Sequence, residues 1–256
     1  VVASSKLEAK NIAKSKWHLD CKKKHKDDVA SLKEIICCDD CQVIKKIGNL
    51  EIELALENNF LKENKSWVKH LKKRTTIKTI DKKTLLKISN TKSPQEILAV
   101  CDIPKQEPIN LTMDKWIYLD KISDPGNMGT LIRSCEWFGI NNIALSPKSA
   151  DPYNPKSIRA AMGAHFGVTI HTNTDLSIFK KTHRIIAADL RGENANTYEF
   201  PNKCVLVLGN EAHGISYQNL GYIKDFIFIN KLGSGNSLNV STAGSILIYL
   251  LMNRLK

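Results

Sequence analysis

No apolar run in this chain of 256 residues approaches the roughly eighteen needed to cross a bilayer as a helix. The longest, Ile246 to Met252, reads as a buried helix, and no membrane association is expected. The first residues are an apolar pair followed by polar, lysine-rich sequence, not the pattern of a secretory signal, so a cytoplasmic protein is expected. A paired cysteine framework is also missing. The seven cysteines (Cys21, Cys37, Cys38, Cys41, Cys101, Cys135 and Cys204) are odd in number and scattered, which argues against structural disulfides. Cys38 and Cys41 form a C-x-x-C beside Cys37, but the second ligand pair of a zinc site is absent. Reduced thiols and no metal are expected. A dinucleotide loop fails too: Gly233 and Gly235 begin a G-x-G-x-x-G, but Leu238 stands where the last glycine belongs. There is no internal repeat and no low-complexity stretch.

Acidic residues are scarce relative to basic ones, 26 Asp+Glu against 38 Lys+Arg, a net charge of +12. Residues 1–110 carry 23 basic and 15 acidic side chains, and so hold most of the excess. Such a balance suits a polyanionic partner, whose condensed counterions the lysines would release. A solvated lysine-rich surface explains it equally well.

Texture divides the chain in two. Residues 1–105 mix lysine-rich helical periodicity (Ser4 to Cys21) with short apolar segments such as Glu51 to Leu56, and end in the strand-like I-L-A-V before Cys101. A polar segment with two prolines, Cys101 to Asn110, reads as a linker. Beyond it strands and helices alternate. Strands are expected at Trp116–Leu119, Asn142–Leu145, up to Ile170, Arg184–Ala188, Cys204–Leu208 and Phe226–Ile229. Helices are expected at Asn127–Phe138, Pro155–Ala164 and Val240–Leu255. Cys204–Leu208 is apolar throughout, as a strand buried on both faces should be. This alternation predicts an α/β fold, a parallel sheet with helices on both faces.

Chemistry concentrates in three short stretches. Asp120 to Ser134 reads D-K-I-S-D-P-G-N-M-G-T-L-I-R-S. Pro125–Gly126 makes a turn after a strand, and the helix beginning near Asn127 would offer free N–H groups to an anion. Leu206 to Ser216, L-V-L-G-N-E-A-H-G-I-S, places Gly209 and the Glu211 carboxylate at the carboxyl end of a buried strand, where open α/β sheets bind ligands. His213 titrates near neutrality but is taken as an exposed loop residue. Ile229 to Val240 reads I-N-K-L-G-S-G-N-S-L-N-V. Between the first two stretches, Lys156 and Arg159 share a helix face, which suits either RNA backbone contact or a solvated surface.

The segments N-M-G-T-L-I-R, L-G-N-E-A-H-G and S-L-N-V, in this order and spacing, resemble the three motifs of the SpoU (TrmH-type) branch of the SPOUT superfamily. The resemblance is strong over residues 111–256 and weaker at Leu86 to Pro104. It implies an RNA ribose 2′-O-methyltransferase that uses S-adenosyl-L-methionine, works as a homodimer, and threads its C-terminal helix through a trefoil knot. It also implies a smaller α/β RNA-binding domain, ribosomal-protein-like, at residues 1–105, although that domain's usual F-x-x-E-G segment is absent. Carried over position by position, Leu208, Gly209, Asn210, Ile229, Leu238 and Asn239 would contact the methyl donor. Arg133, Asn127, Glu211, Ser237 and Asn239 would form the catalytic set, and Lys156 and Arg159 would touch RNA. Arg133 is the family's suggested activator. A guanidinium stays protonated, so its expected role is to bind the adjoining phosphate and stabilise the developing alkoxide. Asn230 replaces the proline usual at that point of the cofactor loop. Ribosomal RNA is favoured over transfer RNA as substrate; the alternative is a non-catalytic RNA-binding protein on the same fold.

Overall fold

The computed structural model describes residues 2–3, 34–37, 52–71, 76–88, 96–101, 103–235 and 237–253. The expected helix at Ser4 to Cys21 lies outside these residues, as do Cys38 and Cys41 of the cysteine cluster. The chain divides into two compact units. One holds Val1–Lys105 with Tyr153–Gly163; the other holds Gln106–Pro152 and Ala164–Lys256.

In the first unit a five-stranded sheet runs β1-β2-β5-β3-β4: β1 (Val2–Ala3), β2 (Glu34–Cys37), β3 (Ile52–Glu57), β4 (Thr76–Ile80) and β5 (Ile97–Cys101). Among the described residues of this unit only β3 and β4 pair in parallel, and the helices α1 (Asn58–Glu63) and α2 (Lys65–Leu71) form the crossover between them. α3 (Lys82–Ile88) follows. Leu56, Val68, Leu85, Ile97 and Leu98 are buried. The cysteine read as the start of the linker, Cys101, instead ends β5. α5 (Pro155–Ala161) also belongs here. Asn154 caps it by accepting the Lys156 N–H at 2.9 Å, and Pro155 occupies the first helical position, where a missing N–H costs nothing. The expected helix to Ala164 stops three residues early, because Met162 turns left-handed (φ 50°) and Gly163 follows with φ 88°.

The second unit carries a parallel six-stranded sheet of order β11-β9-β10-β6-β7-β8. Its strands are β6 (Lys115–Leu119), β7 (Asn142–Leu145), β8 (Thr169–His171), β9 (Arg184–Asn194), β10 (Cys204–Leu208) and β11 (Asp225–Phe228). All five residues of β10 are buried, as its composition demanded. On one face Trp116, Tyr118, Ile185, Ala187, Val205 and Val207 pack with Phe179, the Trp116 and Phe179 rings 5.1 Å apart. β9 runs beyond the expected Ala188 to Asn194, since its pairing with β11 jumps from Ala187 to Glu193 and leaves 188–192 as an excursion.

Helix α4 (Pro125–Trp137) follows β6, the short α6 (Tyr217–Leu220) precedes β11, and α7 (Val240–Asn253) closes the described chain. α7 is amphipathic rather than wholly buried: Leu247, Ile248 and Leu251 face inward, whereas Ile246 and Tyr249 are exposed. Gly244 lets it approach closely, because a Cβ there would collide with Leu131 of α4 and lie 2.7 Å from Leu208 of β10. None of the described helices is long and apolar enough to cross a membrane.

Candidate active site

β6 and β10 lie side by side at the centre of the sheet, yet the chain leaves β6 toward β7 and leaves β10 toward β11, on the opposite side. Strand order therefore reverses between them. In open parallel sheets such a switch point opens a crevice at the carboxyl ends of the strands. The first two motifs follow β6 and β10 respectively, so both emerge at that crevice.

α4 begins two residues before the expected Asn127. Asp124 is its N-cap, with Pro125 first in the helix, and the Asp124 carboxylate accepts the Asn127 N–H at 2.9 Å. This narrows the expectation of free N–H groups there. Proline brings none, and the protein's own carboxylate already fills the anion's place at Asn127.

The motif following β10 is a tight loop. Asn210 and Gly214 exchange two backbone hydrogen bonds of 2.9 Å, and the Asn210 Oδ1 accepts the N–H groups of Ala212 and His213 at 2.9 and 3.1 Å. The Asn210 Nδ2 donates to the carbonyl of Lys121 at 2.8 Å. Gly209 is obligatory: a Cβ there would stand 2.5 Å from the Gly214 carbonyl carbon and 2.7 Å from the Ile215 nitrogen, both backbone. His213 is exposed, as expected.

Three predicted residues meet through their side chains. Asn127 Nδ2 donates to Glu211 Oε1 at 2.8 Å, and Asn239 Nδ2 donates to Asn127 Oδ1 at 3.0 Å. Glu211 Oε2 also accepts the Ser123 hydroxyl at 3.2 Å. The chain of bonds Ser123–Glu211–Asn127–Asn239 thus ties the three motifs together. Asn239 Oδ1 in turn accepts the Ser241 N–H at 2.8 Å and hydroxyl at 2.6 Å, capping α7.

Arg133, six residues along α4 from Asn127, is exposed, and its side chain makes no hydrogen bond or ion pair among the described residues. Ser237 and Leu238 are exposed, and Ile229 is half-buried; no hydrogen bond joins them to the cluster. Leu208 is buried at the end of β10. Lys156, exposed, and Arg159, half-buried, lie on α5 in the other unit. Among the described residues no group of His, Cys, Asp and Glu is arranged to hold a metal; Cys135 and Cys204 are free and buried.

Two residues of the cluster were not singled out by sequence. Ser123 carries no signal beyond its place in D-K-I-S-D. Asp120 is fully buried and holds Ser216, accepting its N–H at 2.7 Å and its hydroxyl at 3.1 Å. An acidic residue at the end of an apolar strand was the available sign.

Known proteins are similar to this chain in sequence and in fold. A 23S rRNA guanosine 2′-O-methyltransferase of Bacillus subtilis is 31% identical over 168 residues, 63% of this chain and 66% of that protein. A 23S rRNA uridine 2′-O-methyltransferase of Streptomyces viridochromogenes is 25% identical over 171 residues, 61% of this chain and 60% of the relative. The chain thus matches less than two thirds of the length of these curated relatives. A TrmH-family structure from Porphyromonas gingivalis superposes with TM-score 0.66 at 28% identity, covering 79% of this chain and 82% of that one. The AdoMet-bound rRNA methyltransferase of Sinorhizobium meliloti shares the fold, with TM-score 0.69 at 22% identity over 81% and 82% of the two chains. A domain of unknown function, DUF1543, matches residues 1–54. The SpoU rRNA Methylase family matches residues 114–249, more than half of the chain and all three motifs. With its motifs joined at the switch point of a parallel sheet, the chain belongs to the SpoU rRNA Methylase family.

Proposed function

We propose that this protein transfers a methyl group from S-adenosyl-L-methionine to a ribose 2′-hydroxyl of RNA, with ribosomal RNA favoured over transfer RNA. The hydrogen-bonded chain Ser123–Glu211–Asn127–Asn239 carries the reading, because it joins three motifs at one crevice and leaves Arg133 uncommitted. The two curated rRNA 2′-O-methyltransferase relatives support the reaction and favour ribosomal RNA.

The residues present fit such a donor. Leu232 and Leu238 stand exposed on the loop after β11, apolar surface for such a donor, and Gly209 lets the Gly209–Ser216 loop fold back on itself at the end of β10. Leu208, Gly209, Asn210, Ile229, Leu238 and Asn239 would hold the donor, which supplies an electrophilic methyl carbon. The reaction is an in-line displacement, so alignment provides much of the rate. Arg133 would bind the phosphate beside the target ribose and stabilise the alkoxide as the 2′-proton departs. Glu211 holds Asn127, and Asn127 holds Asn239; with Ser237 these groups would orient the reacting atoms. Lys156 and Arg159 would contact the RNA backbone, and residues 1–105 would select the substrate. We read the protein as cytoplasmic and its C-terminal helix as threaded into a trefoil knot. A homodimer would cover the aromatic surface of α4 and α7, where Trp137 is 76% and Tyr249 46% exposed.

The test is transfer of labelled methyl from S-adenosyl-L-methionine to separated ribosomal and transfer RNA fractions lacking their own modifications. We expect label in ribosomal RNA, at an alkali-resistant ribose linkage, with kcat reduced about 10²–10³-fold by Arg133→Ala. Arg133→Lys keeps the charge and loses the planar fork, so near-parental turnover in that variant would overturn bidentate phosphate binding. Absence of both transfer and donor binding would favour a non-catalytic RNA-binding protein.

A further inference from the structure

Asp120 is the first residue after β6, and its backbone N–H donates to the Leu208 carbonyl at 2.8 Å, extending the β6–β10 ladder to the point where the second motif begins. Its carboxylate is completely buried, and no cation pairs with it among the described residues. Burying a charge this way is costly unless its lone pairs are filled by donors. Here one residue supplies both: the Ser216 N–H reaches one carboxylate oxygen at 2.7 Å and the Ser216 hydroxyl the other at 3.1 Å. Ser216 ends the loop that starts at Gly209 and carries Glu211. The opposite side of that loop is held by Asn210 Nδ2 on the Lys121 carbonyl. The adjacent residues 120 and 121 therefore clamp both ends of one loop.

We infer that Asp120 is a positioning residue of the site: by gripping Ser216 it fixes the Gly209–Ser216 loop so that Glu211 meets Asn127. This inference rests on the proposed reaction for its consequence on rate, but the loop geometry it asserts is independent of that reaction. Hydrogen bonding, rather than net charge, does the work. Asparagine at 120 could keep both contacts, its carbonyl accepting the Ser216 N–H and its amide donating to the Ser216 oxygen, whereas alanine keeps neither.

Two measurements on the full chain test it. The first is amide hydrogen exchange in Asp120→Ala, Asp120→Asn and the parent. In Asp120→Ala we expect exchange at Ala212, His213, Gly214 and Ser216 to rise at least about tenfold, a loss of protection on the scale of one hydrogen bond. Leu206 and Val207 of β10 should be unchanged, and Asp120→Asn should stay close to the parent. Unaltered loop exchange, or β10 opening together with the loop, would overturn the inference. If Asp120→Ala does not fold, Ser216→Ala removes the hydroxyl contact alone, and a smaller rise confined to the same amides is required. The second is a double-mutant cycle on kcat pairing Asp120→Ala with Glu211→Ala, which removes the acceptor of the Asn127 Nδ2 bond. A residue acting through Glu211 has no further effect once that side chain is gone, so the double variant should match Glu211→Ala alone; additive losses would refute the proposed route. Absence of methyl transfer in the parent would sink the proposed function and leave the exchange result to decide the clamp.

Discussion

Asn239 does two jobs with the two ends of one amide. Its oxygen caps α7 through Ser241, and its nitrogen bridges to Asn127. Aspartate keeps the first job and loses the second, because a carboxylate would oppose the Asn127 oxygen with no proton to share. Asn239→Asp is therefore expected to hold its thermal midpoint within the effect of a retained cap while lowering kcat about tenfold or more, on the scale of one lost hydrogen bond to a site residue. Equal losses of stability in Asn239→Asp and Asn239→Ala, measured by thermal denaturation, would contradict the division of labour. Glu211 and Asn127 were legible as motif positions. Their mutual bond was not, since nothing in L-G-N-E states which partner its carboxylate takes.

At the scale of elements, two contacts lock the second unit. α7 seats on α4 and β10 through Gly244, where added atoms would meet Leu131 and Leu208. Gly244→Val should destabilise by about 1–3 kcal/mol through overpacking, measured by denaturant unfolding; a neutral result would mean the helix can retreat. At the amino ends of the strands, Arg184 of β9 grips Asp225 of β11 through two bonds of 2.6 Å, and Tyr198 donates to the same carboxylate at 2.8 Å. The Arg184 hydrogen bonds, over the opposing effect of burial, hold the Asp225 carboxyl below its ordinary value of 3.8. A depressed carboxyl contributes stability that is present above the unfolded value and lost as pH falls through the folded one. The loss of thermal midpoint in Asp225→Asn should therefore be evident at pH 7 and shrink below about pH 4. A difference that is constant with pH would rule out the charge as its source.

For the whole second unit, three half- or fully buried histidines make stability depend on pH just below neutrality. Burial is the main cause lowering His165, His171 and His183 below 6.5, against carbonyl contacts such as Met113 on His183 Nε2 at 2.7 Å. Nearby Asp151, Glu107 and Asp114 oppose the shift, and Lys203 adds to it at His183. The unfolded chain then binds protons that the folded one refuses, so stability falls as pH drops below about 6.5. A thermal midpoint that stays level from pH 7.5 to 5.5 would disprove this.

Most strands and helices of the second unit were legible because their cause is local. β10 is apolar at every position, and α4 was legible as a helix although Pro125, read as part of a turn, is its first residue. Errors fell at boundaries governed by geometry rather than composition: the left-handed Met162 that stops α5, and the β9–β11 register jump that prolongs β9. Motif spelling likewise identified the family from the sequence alone, and with it the candidate residues. Only the tertiary structure decided which of them touch. Asn127 and Glu211 are 84 residues apart in the chain, and Asn127 and Asn239 are 112 apart. Contacts at such separations depend on strand order, here the placing of β10 beside β6, and that order is written in no single stretch of sequence. The buried Asp120 became interpretable for the same reason, once Ser216, 96 residues away, was found against it.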